Sequence, residues 1–262
     1  MNTDDFASAL LNGAKKGKRT GAACAKKGER DEGSKPYRHY FGWERTVGES
    51  KRNAQELRAR ERMETICDVA KSLGVKYLTV YAFSTENWKR SKEEVDGLMK
   101  LFRNYLKKCI KISQQNQMRV KVIGDIRAFD PDIQESVKKL EEYSKNFDEL
   151  HFQIALNYGS RDEITRGIRR IAQDVKDGKV QPEEITEQLV ESYWDTAGIP
   201  DPDLMIRTSG EQRLSNFLLW QLAYTEFYFT PVAWPDFNRE ELVKAIEKYN
   251  ERDRRYGGVK EE

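Results

Sequence analysis

Residues 77–90 read YLTVYAFSTENWKR, and this stretch decides the fold. Its first part, Tyr77 to Phe83, is a nearly continuous run of apolar, aromatic and β-branched residues. Such a run is expected of a strand buried on both faces, as in a parallel sheet. At Ser84 the polarity changes abruptly. A hydroxyl pair, a carboxylate, an amide, an indole and a guanidinium follow before Arg90 ends the stretch. Ser91-Lys-Glu-Glu94 then has the spacing of a capping box, and Val95, Leu98, Phe102, Tyr105, Cys109 and Ile110 give the ensuing helix one apolar stripe. A buried strand, a polar turn and an amphipathic helix form the unit from which α/β proteins are built.

The same alternation continues in both directions. Upstream, Met63 to Leu73 carries apolar residues at helical spacing, and Gly74 is a natural stop. Downstream, Met118 to Ile123 reads as a strand ended by Gly124-Asp125, and Asp130-Pro131 marks a turn before a helix to about Tyr143. Phe152 to Leu156 is a strand, Arg161 to Val175 a helix and Glu183 to Tyr193 another. Asp203 to Arg207 and Glu226 to Phe229 are short strands. Asn238-Arg-Glu-Glu241 is a second capping box, opening a helix to about Arg254. The expected architecture is α/β: a mostly parallel central sheet flanked by helices. Ligands of such sheets bind beyond the carboxyl ends of the strands. Composition divides the chain into an aberrant segment, residues 1–62, and one domain over residues 63–262. Residues 13–35, rich in Gly, Lys and Ala, cannot bury enough apolar surface to offset their ordering entropy and are expected to be disordered.

Charge excludes some functions. The chain carries 46 Lys+Arg against 44 Asp+Glu, a formal net charge of +2. A general nucleic-acid binder would be far more basic, so any anion site must be local. Cys24, Cys67 and Cys109 are widely spaced, without a CxxC pair, and the chain has only 2 histidines. This argues against structural zinc and fits a reducing, cytoplasmic setting. No apolar run approaches the roughly 20 residues of a membrane span, and the N-terminus lacks the apolar core of a signal peptide.

Three segments at predicted strand ends could carry chemistry. The first is Ser84 to Arg90; taken alone, a polar loop capping the next helix explains it equally well. The second is Asn157-Tyr-Gly-Ser-Arg-Asp162, where an ordinary βα turn is a plainer reading than anion binding. The third lies within Asp201 to Phe237, DPDLMIRTSGEQRLSNFLLWQLAYTEFYFTPVAWPDF. There Arg207 and Arg213 flank Ser209-Gly210, and Glu226 sits inside an aromatic run. Arginine's planar fork matches phosphate oxygens, and a carboxylate nearby can hold the accompanying cation. Arginines, a carboxylate and abundant aromatic surface suit a phosphorylated, greasy substrate. Trp220, Trp234 and the Phe/Tyr cluster are assigned to the core.

Together YAFSTENWKR, NYGSRDEI and DPDLMIRTSGEQRLSNFLLWQLAYTEFYF resemble the cis-prenyltransferase family of bacterial isoprenyl transferases, over about Met63 to Gly258. The resemblance implies condensation of isopentenyl diphosphate onto an allylic, farnesyl-type diphosphate with new double bonds in cis, for a cell-wall lipid carrier. It implies that Arg207, Arg213, Leu214 and Ser215 bind isopentenyl diphosphate and that Glu226 helps bind magnesium. Ser84, Thr85, Glu86, Trp88 and Arg90 would shape the substrate site, Asn87 would sit where a proton is removed, and an apolar tunnel would hold the growing product. A homodimer delivering its product to the membrane is also implied.

One family motif is missing. An apolar strand running into DGNGRWA, then a Gly-His pair, should precede Met63, and its aspartate is the main catalytic, magnesium-binding residue. Residues 36–62 read PYRHYFGWERTVGESKRNAQELRARER instead. Synonymous codons exist for Pro36 to Glu49 that, read one base later, translate as HIAIILDGNGRWAK. Codons for Ser50 to Arg62 likewise permit AKGMPRNCGHERG. The expectation is that one base was lost near the Arg62 codon. Residues 1–62 would then carry no selected function, the fold would lose a central first strand, and this chain would be severely impaired. Alternatives are a non-catalytic prenyltransferase subunit, or a module binding anionic surfaces through the basic N-terminal arm.

Overall fold

A computed structural model describes residues 62–252, together with the backbone of residues 8–12. The predicted strand is Tyr77–Ser84 (β2). Its partners are Ser8–Asn12 (β1), Met118–Ile123 (β3), Leu150–Tyr158 (β4), Leu204–Arg207 (β5) and Glu226–Phe229 (β6). They form one sheet in the order β3-β4-β2-β1-β5-β6. Pairing is parallel between β2 and β4, β3 and β4, and β5 and β6, while β1 runs antiparallel to both neighbours. Parallel strands need long crossovers, and helices supply them. They are residues 62–72 (α1), Lys92–Asn116 (α2), Pro131–Ser144 (α3), Ser160–Lys176 (α4), Glu187–Glu191 (α5) and Arg239–Asn250 (α6).

Alternation along the strands divides the interior in two. Leu78, Val80 and Ile154 face the larger core with Ile66 of α1, Phe102 and Leu106 of α2, and Leu140 of α3. Tyr81, Ala155 and Met205 face a smaller core made with Phe217, Leu218 and Leu222. Leu78, Ile66 and Phe152 are fully buried, each contributing about 1.5–3 kcal/mol relative to exposure. The first capping box forms as spaced, and at the second position Asn238 caps the helix with its side chain. Glu94 N donates to Ser91 Oγ at 3.3 Å, and Glu241 N donates to Asn238 Oδ1 at 3.1 Å.

Three expectations need correction. The single helix over Glu183 to Tyr193 is broken: a 3-10 turn, Pro182–Glu184, precedes a short α5. Ile185 takes an extended conformation, and Thr186 caps the new start by accepting from Leu189 N. The final helix stops at Asn250 rather than near Arg254. The fold was also expected to be short of a central strand; instead β1 occupies the position between β2 and β5. Two unpaired edges in mid-sheet would leave backbone donors and acceptors unsatisfied, which favours any segment able to fill the gap. The disorder expected over residues 13–35 lies outside the described residues.

Gly124 ends β3 with φ +114°, and a Cβ there would lie 2.1 Å from the Leu156 carbonyl oxygen. No side chain fits this approach of β3's end to β4. Gly124→Ala is expected to destabilise the protein by about 2–4 kcal/mol in urea unfolding. A loss below about 0.5 kcal/mol would contradict the tight approach.

Candidate active site

At the carboxyl end of β2, the backbone tightens into a 3-10 turn over Thr85–Lys89. Ser84 N donates to Asn87 Oδ1 at 2.8 Å, folding the Asn87 amide back over the strand end. Arg90 N donates to Asn87 O at 3.1 Å and closes the turn. The Trp88 indole packs edge-on against Phe83 with centroids 5.1 Å apart, and its Nε1 donates to Asn157 Oδ1 at 2.8 Å. Asn157 in turn donates from Nδ2 to Asp125 O at 2.7 Å. The ends of β2, β3 and β4 are thereby tied into one rim.

Glu86 accepts from Asn216 Nδ2 at 3.0 Å and from Thr85 Oγ1 at 3.1 Å. Partial burial works against its ionisation, but hydrogen bonds from Asn216, its own backbone amide, Ser84 and Thr85 outweigh that. The carboxyl is held below its usual range.

The second wall begins where β5 ends. Arg207 is 3% exposed, and its Nη2 lies 3.5 Å from Ser215 Oγ. Ser209 and Gly210 turn back in left-handed conformations, and their amides donate to Val232 O and Thr230 O at 2.9 Å each. That turn is therefore bound to the chain after β6, which aims the following segment across the strand ends. Arg213 is half exposed and ion-paired with Glu211, a contact that an arriving anion can compete for. Leu214 packs on the smaller core beside Phe217, and the Phe217 ring stacks on Tyr81 at 4.3 Å.

These walls enclose a cavity of about 290 Å³. Ser84, Glu86, Asn87, Arg90, Arg207, Arg213 and Ser215 line it over a floor of Tyr81, Ala82 and Phe83, with Asn216 beside them. A cavity of this size suits one small ligand, with arginines toward its charged end and aromatic surface toward its apolar end. Seven residues named from the sequence are thus brought together. Thr85, Trp88 and Leu214 support the rim from behind. Asn216 and Tyr81 were not foreseen, although Asn216 directly follows Ser215 and is itself a polar break before the apolar Phe217–Trp220 run.

Two positions singled out in the sequence are absent from the cavity lining. The start of α4 is no open anion site: Ser160 N donates to Asn216 O at 2.7 Å and Arg161 N to Asn216 Oδ1 at 2.9 Å. The plainer βα-turn reading of Asn157 to Asp162 is the right one. Nor does Glu226 reach the cavity within the chain. The parallel register pairs it with Leu204, at the start of β5, whereas Arg207 ends that strand beside Phe229. Three residues of strand separate the two levels, roughly 10 Å. Glu226 instead pairs with Arg252.

This bears on magnesium. Among the described residues no group of three or more His, Cys, Asp or Glu side chains is placed to hold a metal ion. Among the described residues Glu86 is the carboxylate that lines the cavity, and it is engaged by Asn216 and Thr85. These residues do not make a magnesium site, so no step below is routed through one.

Behind the rim, Glu163 is fully buried. It accepts from Tyr158 OH at 2.5 Å, Asp195 N at 2.9 Å and Gln221 Nε2 at 3.3 Å. Burial pushes its carboxyl up, and these hydrogen bonds offset that only in part. The network fastens the turn after Phe217 to α4.

The chain is similar to known proteins over most of its length. Residues 42–257 match the Prenyltransf family model, that of undecaprenyl diphosphate synthase. An isoprenyl transferase of Clostridium perfringens is 50% identical over 198 residues, covering 76% of this chain and 78% of the relative. The crystal structure of lavandulyl diphosphate synthase from Lavandula x intermedia, in complex with dimethylallyl diphosphate, is similar with a TM-score of 0.75 and 37% identity. That likeness covers 79% of this chain and 89% of the other. A probable undecaprenyl diphosphate synthase from Campylobacter jejuni gives a TM-score of 0.69 at 32% identity, over 77% and 93% of the two chains.

Proposed function

The chain belongs to the undecaprenyl diphosphate synthase family of prenyltransferases, and from that premise we propose that its cavity is the isopentenyl diphosphate half of a prenyl-condensing site. The observation that carries this reading is the convergence of Arg207, Arg213 and Ser215 with Asn87 on one cavity. Arg207 and Arg213 hold the diphosphate, and the fork of Arg207 supplies directional donors from a desolvated position. Tyr81, Ala82 and Phe83 receive the five-carbon apolar part. In the condensation, diphosphate leaves the allylic carbon as that carbon bonds to the terminal alkene carbon of isopentenyl diphosphate, placing positive charge on the methyl-substituted alkene carbon. A proton is then lost from the methylene next to that charged carbon, beside Asn87, and its electron pair forms the new double bond. Repetition yields a cis-polyprenyl diphosphate.

The allylic half belongs to the motif that the chain lacks, and magnesium belongs with it, since the aspartate of the shifted frame would be its main ligand. As it stands, the chain would hold isopentenyl diphosphate and condense it poorly. We place the working enzyme in the cytoplasm as a homodimer supplying a lipid carrier to the membrane. No helix among the described residues is long and apolar enough to cross one. Titration calorimetry with isopentenyl diphosphate tests the proposal. Saturable binding to one site per chain is expected, displaced by inorganic diphosphate; heats indistinguishable from dilution would overturn it.

A further inference from the structure

Resting on that reading, we infer that Asn216 is the positioning residue that holds the two walls of the cavity in register. Its side-chain polar groups and its carbonyl are all engaged, and between them they join two different segments. Its carbonyl accepts from Ser160 N at 2.7 Å, and its Oδ1 accepts from Arg161 N at 2.9 Å, so it satisfies two amides in the first turn of α4. Its Nδ2 donates to Glu86 Oε1 at 3.0 Å, reaching the segment after β2. Helix starts leave their first amides without internal partners, which makes this a strong anchoring point for the loop.

The backbone here is held against its preference. Ser215, Asn216 and Leu218 all have positive φ, at 50°, 62° and 45°. Asparagine tolerates that region better than most side chains, but such a run persists only where its surroundings over-determine it. Gly159 provides an independent sign of the same junction. Its backbone is extended, so the glycine is not needed for φ. A Cβ would instead lie 2.6 Å from Thr85 Oγ1 and 2.7 Å from Asn216 Nδ2. Three segments thus close on one point, with room there for a hydrogen atom and nothing larger.

The consequence for binding follows from adjacency. Asn216 follows Ser215, whose hydroxyl is within 3.5 Å of Arg207, and Glu86 precedes Asn87. Fixing Asn216 against Glu86 sets the distance between the diphosphate end of the cavity and the end where Asn87 lies. The position calls for a short side chain that both donates and accepts. A carboxylate in place of the Asn216 amide would keep the acceptor for Arg161 N but set a second negative charge against Glu86.

The test is isopentenyl diphosphate binding by calorimetry, with thermal unfolding run in parallel, on wild type, N216D, E86Q and E86Q/N216D. N216D is expected to weaken binding about tenfold or more, because like charges face each other across the junction. In the double variant the amide introduced by E86Q donates to the carboxylate introduced by N216D. The link is restored with reversed polarity, and affinity is expected to return to that of E86Q alone. A role of Asn216 only as a helix anchor would leave N216D binding normally, because its carboxylate still accepts from Arg161 N. N216D binding like wild type, or a double variant no better than N216D, would overturn the inference. Failure of the wild type to bind at all would overturn the underlying site assignment as well, so the two failures are told apart.

Discussion

A chain with its upstream frame restored is expected to turn over isopentenyl diphosphate at least about 10³-fold faster than the chain as it stands, the scale set by losing the main group that handles metal and charge. The sheet shows why. The cavity lies at the carboxyl ends of β2 and β5, at Ser84 and Arg207. β1 lies between those strands but antiparallel, with Asn12 opposite Tyr77 and Ser8 opposite Arg207. Its amino end therefore faces the site, and its carboxyl end lies at the opposite end of the strands. A parallel strand in that slot, as IAIIL of the shifted frame would make, would deliver the following DGNGRWA between Ser84 and Arg207. Assaying both chains with radiolabelled isopentenyl diphosphate, farnesyl diphosphate and magnesium decides it. Equal turnover by the two would refute the impaired reading. Sequencing the DNA would refute the frameshift itself if the codons for Trp43 to Glu49 cannot encode GNGRWAK one base later.

Arg207→Ala is expected to weaken isopentenyl diphosphate binding about 100-fold, or about 2.8 kcal/mol. Arg207 is almost wholly buried, so its charge is little screened, and truncation removes the directional donors nearest Ser215. Arg207→Lys should recover only part of this, because a point charge on a flexible stem cannot reproduce the planar fork. Arg213→Ala should cost less, about tenfold, since that side chain is half exposed and already paired with Glu211. The ranking is the informative part. Calorimetry showing Arg207→Ala within about threefold of wild type, on a protein that melts normally, would remove the arginine from the site.

Much of this was legible beforehand because burial on both faces imposes an unbroken apolar run, and β2 has one. The carboxyl-end rule then directed attention to Ser84 to Arg90 and to Arg207. The broken helix at Ile185 was less visible, since its apolar spacing over Glu183 to Tyr193 suits either one helix or two short turns. Asn216 carries no such local signal. Its importance comes from Ser160, Arg161 and Glu86, which are distant in sequence, and no local pattern encodes a three-way junction.

Residue order alone determined most element types, the capping box at Ser91 and the chemistry available at each strand end, because periodicity and polarity are local properties. It also determined which family motif is absent. Only the tertiary structure decided which of those ends meet. Register is a relation between strands, so it could bring Arg207 to Asn87 while leaving Glu226 three residues away at the level of Leu204. Strand direction is another such relation: β1 fills the gap in the sheet yet faces the cavity with the wrong end.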